Sequence, residues 1–135
     1  MITLLADVNI EGHVRRLASL MQTDYWRELW DHLQLRLVSF VEVGLSAEDV
    51  DTHVWQACQQ QQLYLLTNNR NDDGPDSLEA TIRTRNAFDS LPVFTLSDAD
   101  QVLHSKDYAE RVVETLFDYL LRIDSVRGAG RLFLP

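Results

Sequence analysis

The chain has 135 residues, of which 12 are basic and 21 acidic, and its formal net charge is −9. This balance argues against a protein that binds nucleic acid through a broad basic surface, because neutralising phosphates takes clustered Lys and Arg. It leaves open a small site in which cations screen carboxylates. The length and the 45% hydrophobic content suit a single domain, residues 1–135, with a substantial core.

From the sequence we expect neither a membrane-spanning segment nor a signal peptide. No apolar stretch approaches the roughly 20 residues that cross a bilayer. The first residues lack the basic region and the long apolar run of a signal peptide. The single cysteine, Cys58, excludes an internal disulfide and fits a reducing compartment. We therefore expect a cytoplasmic protein that does not associate with membranes.

Short apolar runs alternate with longer amphipathic ones, which is the pattern of an α/β domain. The elements predicted in the first half are a strand at Ile2–Ala6, helices at Gly12–Met21 and Tyr25–Leu33, a strand at Leu35–Val43, and a helix from the N-cap Ser46 to about Gln61. In the second half they are strands at Leu63–Leu66 and Val93–Leu96, a helix from the cap Asp76 to about Ala87, and a helix at Tyr108–Ile123. The ending "RGAGRLFLP" is either a short edge strand or an ordered tail.

This order of elements predicts a three-layer α/β fold with a mostly parallel sheet of four to five strands. In such sheets the functional crevice lies beyond the carboxyl ends of the strands. Three polar points should meet there. Asp7 follows the first strand, Asp51 lies in the first turns of the helix after the second, and the stretch "LLTNNRNDDGPDS" contains the end of the third strand and the polar residues after it.

Carboxylates gathered at one edge repel each other, by about 4 kcal/mol for a pair 4 Å apart at an effective dielectric near 20. A fold keeps them together only if a cation or a raised pKa offsets the repulsion. Hard oxygen ligands suit Mg²⁺ or Mn²⁺. Metal-assisted phosphodiester hydrolysis, in which the ion activates a water and stabilises charge on the phosphate, is the chemistry that follows.

Each of these residues also has an ordinary structural interpretation. Asp7 and Asp51 could be acids that favour the start of a helix. Asn68, Asn69 and Asn71 favour turns through side-chain-to-backbone bonds. The polar stretch after the third strand is therefore either a turn or part of a metal site.

Two segments carry a family resemblance. "LLADVNI" resembles the "LLDENLP" opening of a group of small PIN-like domains, and "DVDTHVWQACQQQQLYLLTNNRND" is similar to their "D-x-x-V-x-x-x-A…V-L-V-T-x-D-x-D-F" segment. The resemblance covers roughly the first half of the chain, and the second half matches only in its helix–strand–helix outline. PIN domains are metal-dependent ribonucleases, many of them toxins of bacterial toxin–antitoxin pairs. The resemblance thus implies a PIN-like fold, a Mg²⁺ or Mn²⁺ site, RNA as substrate, and an antitoxin or another protein as partner.

By resemblance, Asp7 and Asp51 inherit metal-binding roles, and Asn9 has a place beside them. Where the family has aspartates, this chain has Asn69 and Asn71, so the expected third-strand anions are missing. We expect a carboxylate from the following loop to complete the site. Asp72 is the first choice in this loop and Asp73 the alternative, while Glu42, near the end of the second strand, is another candidate.

The leading hypothesis is therefore a PIN-like ribonuclease with Asp7, Asp51 and Asn69 as catalytic residues and Asp7, Asp51 and Asp72 as metal ligands. Asn9, Asn68 and Arg70 would contact the substrate. The alternative is a PIN-like module without catalysis that binds or assembles with proteins. Exposed aromatics near Trp26 and Trp30 would then mark a partner or homodimer surface. A third option is a protein without nuclease activity that binds a small phosphorylated ligand in the acidic crevice.

Overall fold

The computed structural model describes all 135 residues. Its centre is a five-stranded sheet in which every strand pair is parallel. The strands are β1 (Ile2–Ala6), β2 (Leu35–Val38), β3 (Leu63–Thr67), β4 (Val93–Leu96) and β5 (Arg131–Leu134). Their order across the sheet is β2-β1-β3-β4-β5. The predicted parallel sheet is confirmed, and the ending of the chain forms an edge strand.

Six helices flank the sheet and complete three layers. They are α1 (Glu11–Met21), α2 (Arg27–Leu33), α3 (Asp51–Gln61), α4 (Leu78–Arg85), α5 (Ala99–His104) and α6 (Lys106–Leu121). One core lies between the sheet and α1, α5 and α6, and a second lies between the opposite face and α3 and α4. Both faces of the sheet are therefore buried, which is why the strands read as continuous apolar runs. No helix is both long and apolar enough to cross a bilayer.

Helix α6 shows how an apolar stripe defines a core face. Its residues at helical spacing are almost completely buried: Val112, Val113, Leu116, Phe117 and Leu120. The helix begins earlier than predicted because the hydroxyl of Ser105 accepts the N–H of Tyr108 at 3.2 Å and makes Ser105 the N-cap. The short helix α5, which precedes α6, was not predicted from the sequence.

The second strand is shorter than predicted, and the helix after it starts later. Strand β2 ends at Val38, where the carboxylate of Glu42 accepts the N–H of Ser39 at 3.0 Å and turns the chain. Ser46 does not cap α3. Its N–H donates to Asp49 at 2.7 Å, which closes a separate turn before the helix begins at Asp51.

Two other helix starts also differ from the prediction. The cap of α4 is Ser77, whose hydroxyl accepts the N–H of Ala80 at 3.2 Å, and not Asp76. Helix α2 begins at Arg27, and Tyr25 before it is 84% exposed. The apolar periodicity identified both helices, but only α4 has a side chain that caps its start, since the residue before α2 is Trp26 and no side chain bonds to the first turn of that helix.

The strand order fixes the place of the functional crevice. The chain passes from β1 to β2 on one side, then crosses over β1 to form β3 on the other side. The order of strands therefore changes direction between β1 and β3. In an open parallel sheet, the loops beyond the carboxyl ends of two such strands diverge to opposite faces and leave a crevice between them.

Candidate functional site

Asp7 lies at the carboxyl end of β1 and is bound to the end of β3. Its N–H donates to the carbonyl of Leu66 at 2.9 Å, and its Oδ2 accepts a hydrogen bond from the hydroxyl of Thr67 at 2.6 Å. Burial raises the pKa of the Asp7 carboxyl, and the negative charge of Asp51 raises it further, while hydrogen bonds from Thr67 and from the backbone of Val8 lower it. The fold therefore disfavours a charge on Asp7.

Asp51 is the first residue of α3 and joins that helix to α4. Its Oδ2 accepts hydrogen bonds from the side-chain amide of Asn69 at 2.9 Å and from the N–H of Leu78, the first residue of α4, at 3.0 Å. These donors fix the carboxylate in one orientation. They leave Oδ1 without a donor from the protein.

Asn69 uses all four of its polar groups. Its N–H donates to the hydroxyl of Thr67 at 3.0 Å, and its carbonyl accepts from Arg131 at 2.9 Å. Its side-chain Nδ2 donates to Asp51, and its Oδ1 accepts the N–H of Asn71 at 2.9 Å. Since the amide oxygen is already bonded to the loop, Asn69 acts as a bridge between the loop and Asp51.

The loop after β3 is built from side-chain-to-backbone bonds spaced two residues apart. Side-chain oxygens of Thr67, Asn69 and Asn71 each accept the N–H of the residue two positions later. Asparagine and threonine form such turns because their short side chains reach their own backbone. The bonds predicted by the turn interpretation are present, yet Asn69 also contacts Asp51. The stretch is both a turn and a wall of the crevice.

The crevice has a volume of about 80 Å³ and is mainly polar. The predicted site residues Asp7, Asn9, Asp51 and Asn69 line it together with Asp49. Ligand pockets for drug-sized molecules measure about 300–1,000 Å³, whereas one water takes about 30 Å³. The crevice can thus hold an ion and a few waters, but a nucleoside has to remain outside.

Other predicted site residues lie elsewhere. Asp72 and Asp73 are exposed and do not line the crevice. Asn68 and Arg70 line a separate cavity at the ends of β3 and β4, where Arg70 donates to the carbonyl of Ser97 at 2.7 Å. Glu42 lines a third cavity, beside β2. No group of three His, Cys, Asp or Glu side chains has a geometry that could hold a metal ion.

Three residues near the crevice were not predicted as part of it. Asp49 lines it, but one of its oxygens accepts from Ser46 and the other lies 3.1 Å from Nδ1 of His53. Thr67 is fully buried beneath Asp7 and holds both Asp7 and Asn69. Arg131 reaches the loop from β5. The sequence signal for it is a single charged residue at the start of an otherwise apolar strand.

Comparisons of the chain with protein-family models, with characterised proteins and with solved structures gave no match. The chemistry of the crevice has to be judged from its own donors. Asp7 and Asp51 provide carboxylate oxygens, and exposed Asn9 contributes an amide that makes no bond within the protein. Mg²⁺ accepts one or two protein carboxylates and keeps several waters. Two carboxylates and an amide are ligand types that such an ion accepts, and the crevice has room for it with a few waters.

Proposed function

We propose that the protein is a PIN-like nuclease that depends on Mg²⁺ or Mn²⁺ and cleaves RNA, with Asp7 and Asp51 holding the ion. The observation that supports this proposal is that the two carboxylates, from β1 and α3, line one small crevice at the change of strand order. Burial there disfavours the charged form of Asp7. A divalent cation would offset both that desolvation and the repulsion between the two acids.

The residues of the chain have separate tasks in this proposal. A bound ion supplies water activation and neutralises charge on the phosphate. Asp51 presents its donor-free Oδ1 because Asn69 and Leu78 hold its other oxygen. Asn9 can donate from the exposed mouth of the crevice to a phosphate oxygen. Because the crevice is too small for a nucleoside, the RNA backbone would lie across its mouth.

Thermal unfolding with and without Mn²⁺ tests the ion site directly. At a concentration of 100 times the dissociation constant, Mn²⁺ should raise the free energy of unfolding by about 2.7 kcal/mol. The shift should disappear in Asp7→Asn and persist in Asp72→Asn, a matched control at an exposed position outside the crevice. Mn²⁺-dependent cleavage of a single-stranded RNA should follow the same pattern. A parent protein that shows neither a shift nor cleavage would contradict the proposal.

A second candidate is a PIN-like module without catalysis that acts through protein partners. The observation that favours it is the pair of bonds made by Asn69, whose Nδ2 and Oδ1 are both bonded within the protein. At this position the chain adds a hydrogen bond to Asp51 instead of another anion. The crevice is then held together without any ion.

The module predicts that metal does not change stability and that a partner binds at the exposed aromatics. Tyr25 is 84% exposed, and its ring packs edge-on against Trp26 at 4.8 Å. A complex recovered with the parent should be lost in Tyr25→Ala. It should survive in Phe88→Ala, the matched control, because Phe88 is 88% exposed and lies in the connection between α4 and β4. An antitoxin-like protein or a second copy of the chain would each be visible as a defined mass in light scattering.

A further inference from the structure

Arg131, on the edge strand of the sheet, is a partly buried residue whose side chain is almost inaccessible to solvent. Its side chain is 7% exposed although it begins β5, which has a neighbour on one side only. Removing a guanidinium from water is unfavourable unless the charge is paired and its donors are bonded. The hydrogen bonds and the ion pair of Arg131 must therefore offset the unfavourable desolvation of its guanidinium.

The best-formed bonds of Arg131 lead to the loop of the crevice and to β4. Its Nη1 donates to the carbonyl of Asn69 at 2.9 Å and to the hydroxyl of Thr95 at 2.7 Å. Its Nη2 lies 3.0 Å from a carboxylate oxygen of Glu79, but that N–H is not aligned for a hydrogen bond. Glu79 thus balances the charge of Arg131, while the directional bonds hold Asn69 and Thr95.

We propose that Arg131 is a positioning residue of the crevice, which fixes the backbone of Asn69 so that its side-chain amide stays on Asp51. Thr67 binds the N–H of Asn69 and Arg131 binds its carbonyl, so the main chain of that residue is held on both sides. The rotamers open to a side chain depend on the φ and ψ angles of its backbone, so fixing the main chain of Asn69 limits the directions in which its amide can point. The edge strand β5 is then part of the site.

The consequence for ion binding rests on the proposed nuclease function. If Arg131 is removed, Asn69 loses one of its anchors, and the Asp51 carboxylate loses a donor that orients it. Loss of an outer residue that orients a metal ligand weakens metal binding by about 10- to 100-fold. Since Arg131 acts on Asp51 only through Asn69, we expect Mn²⁺ binding in Arg131→Met to weaken towards the lower end of this range, about tenfold.

Arg127 provides a matched control in the same segment of the chain. Its guanidinium also donates to a backbone carbonyl, that of Asp89 at 3.0 Å, and lies 3.5 Å from a carboxylate oxygen of Asp124. Arg127 makes no contact with Asn69. Replacing it removes a similar set of bonds without touching the crevice.

The test measures hydrogen exchange of the Asn69 side-chain amide by NMR in metal-free protein. In Arg131→Met, these protons should exchange at least roughly tenfold faster than in the parent, relative to backbone amides of β3 in the same sample. In Arg127→Met, the ratio should remain that of the parent. A purely structural role would accelerate the backbone amides and the side-chain amide together. If Arg131→Met does not fold, the double variant Arg131→Met/Glu79→Gln, which leaves no unpaired carboxylate beside the lost guanidinium, provides the same readout.

The exchange result and the metal result can be separated. If the side-chain amide of Asn69 exchanges as in the parent in every folded Arg131 variant, the positioning role is wrong, whatever Mn²⁺ does. If exchange accelerates but the parent shows no Mn²⁺-dependent stabilisation, Arg131 positions Asn69 and the nuclease proposal fails. Faster exchange together with weaker Mn²⁺ binding supports both.

Discussion

The side-chain amide of Asn69 donates to the carboxylate of Asp51 across 2.9 Å, which places a neutral donor where a metal site often has another acid. An aspartate at position 69 would set two acceptors against each other. Asn69→Asp should therefore lower the free energy of unfolding by about 2 kcal/mol or more in EDTA, through the lost bond and the added repulsion. Mn²⁺ should restore part of this loss, because a cation can lie between the two acids.

Urea unfolding in EDTA and in Mn²⁺ measures both effects. Asn69→Ala serves as the control, since it loses the same bond to Asp51 without adding a charge. It should be destabilised in both buffers, and Mn²⁺ should restore none of the loss, because this variant has neither a second acid nor the amide that orients Asp51. Equal Mn²⁺ responses in Asn69→Asp and Asn69→Ala would show that position 69 does not face an ion.

Asp7 should make stability depend on pH in an unusual direction. Its pKa is raised in the fold above the value of about 3.9 for an unfolded chain, so between these two values the native state binds more protons. The contribution of Asp7 to the free energy of unfolding is complete below its pKa in the unfolded chain. It is lost as the pH rises through the pKa of Asp7 in the folded protein. In metal-free buffer, Asp7→Asn should therefore melt at a higher temperature than the parent at pH 7, and the difference should shrink towards pH 4.

Thermal melts across this pH range, with Asp72→Asn for comparison, isolate the effect. Asp72 is exposed, so its replacement should leave the pH dependence close to that of the parent. A constant difference between Asp7→Asn and the parent at all pH values would mean that Asp7 ionises normally in the fold.

The hydroxyl of Thr67 should contribute more to the free energy of unfolding than its methyl group does. The hydroxyl donates to Asp7 and accepts from the N–H of Asn69, and it is fully buried. Thr67→Val keeps the shape but leaves both partners unsatisfied, which should cost about 2 kcal/mol of unfolding free energy. Thr67→Ser keeps the hydroxyl and should cost about 1 kcal/mol, for one buried methyl group. Urea unfolding of the two variants decides the matter, and a Val variant at least as stable as the Ser variant would contradict this role.

Cys58 should be chemically inert in the native protein. Burial, together with the nearby charge of Asp7, raises the pKa of its thiol to about 12. Since the thiolate is the reactive form, its reaction with a disulfide reagent at pH 8 should be on the order of 1,000-fold slower than in the unfolded chain. A spectroscopic thiol assay with and without denaturant measures this ratio. Similar rates in the two conditions would show that α3 opens readily behind the crevice.

The pairing of Asp7 with Asp51 could be predicted because it depends on topology. Apolar runs identified the strands, and in a parallel sheet the residues that follow neighbouring strands meet at one edge. Asp7 follows β1, and Asp51 begins the helix that leads to β3. A rule about chain direction was enough to bring together two residues 44 positions apart in the numbering.

Details that depend on competition between neighbouring side chains could not be predicted. Ser46 and Asp76 are good capping residues, but Asp51 begins one helix and Ser77 caps the other. The contact of Arg131 with Asn69 spans 62 residues and depends on how far β5 lies along the sheet beside β4. No local sequence pattern determines the register between β4 and β5.

The turn that runs from Thr67 to Asp73 combines exposure with internal bonding. Successive side chains each hold the backbone two residues ahead, so opening one turn loosens the next, and the segment should open as a unit. Trypsin should therefore cut slowly after Arg70, despite the polar, exposed sequence around it. The same rigidity also affects the free energy with which a ligand would bind. The wall of the crevice is already ordered, so little conformational entropy is left to lose on binding.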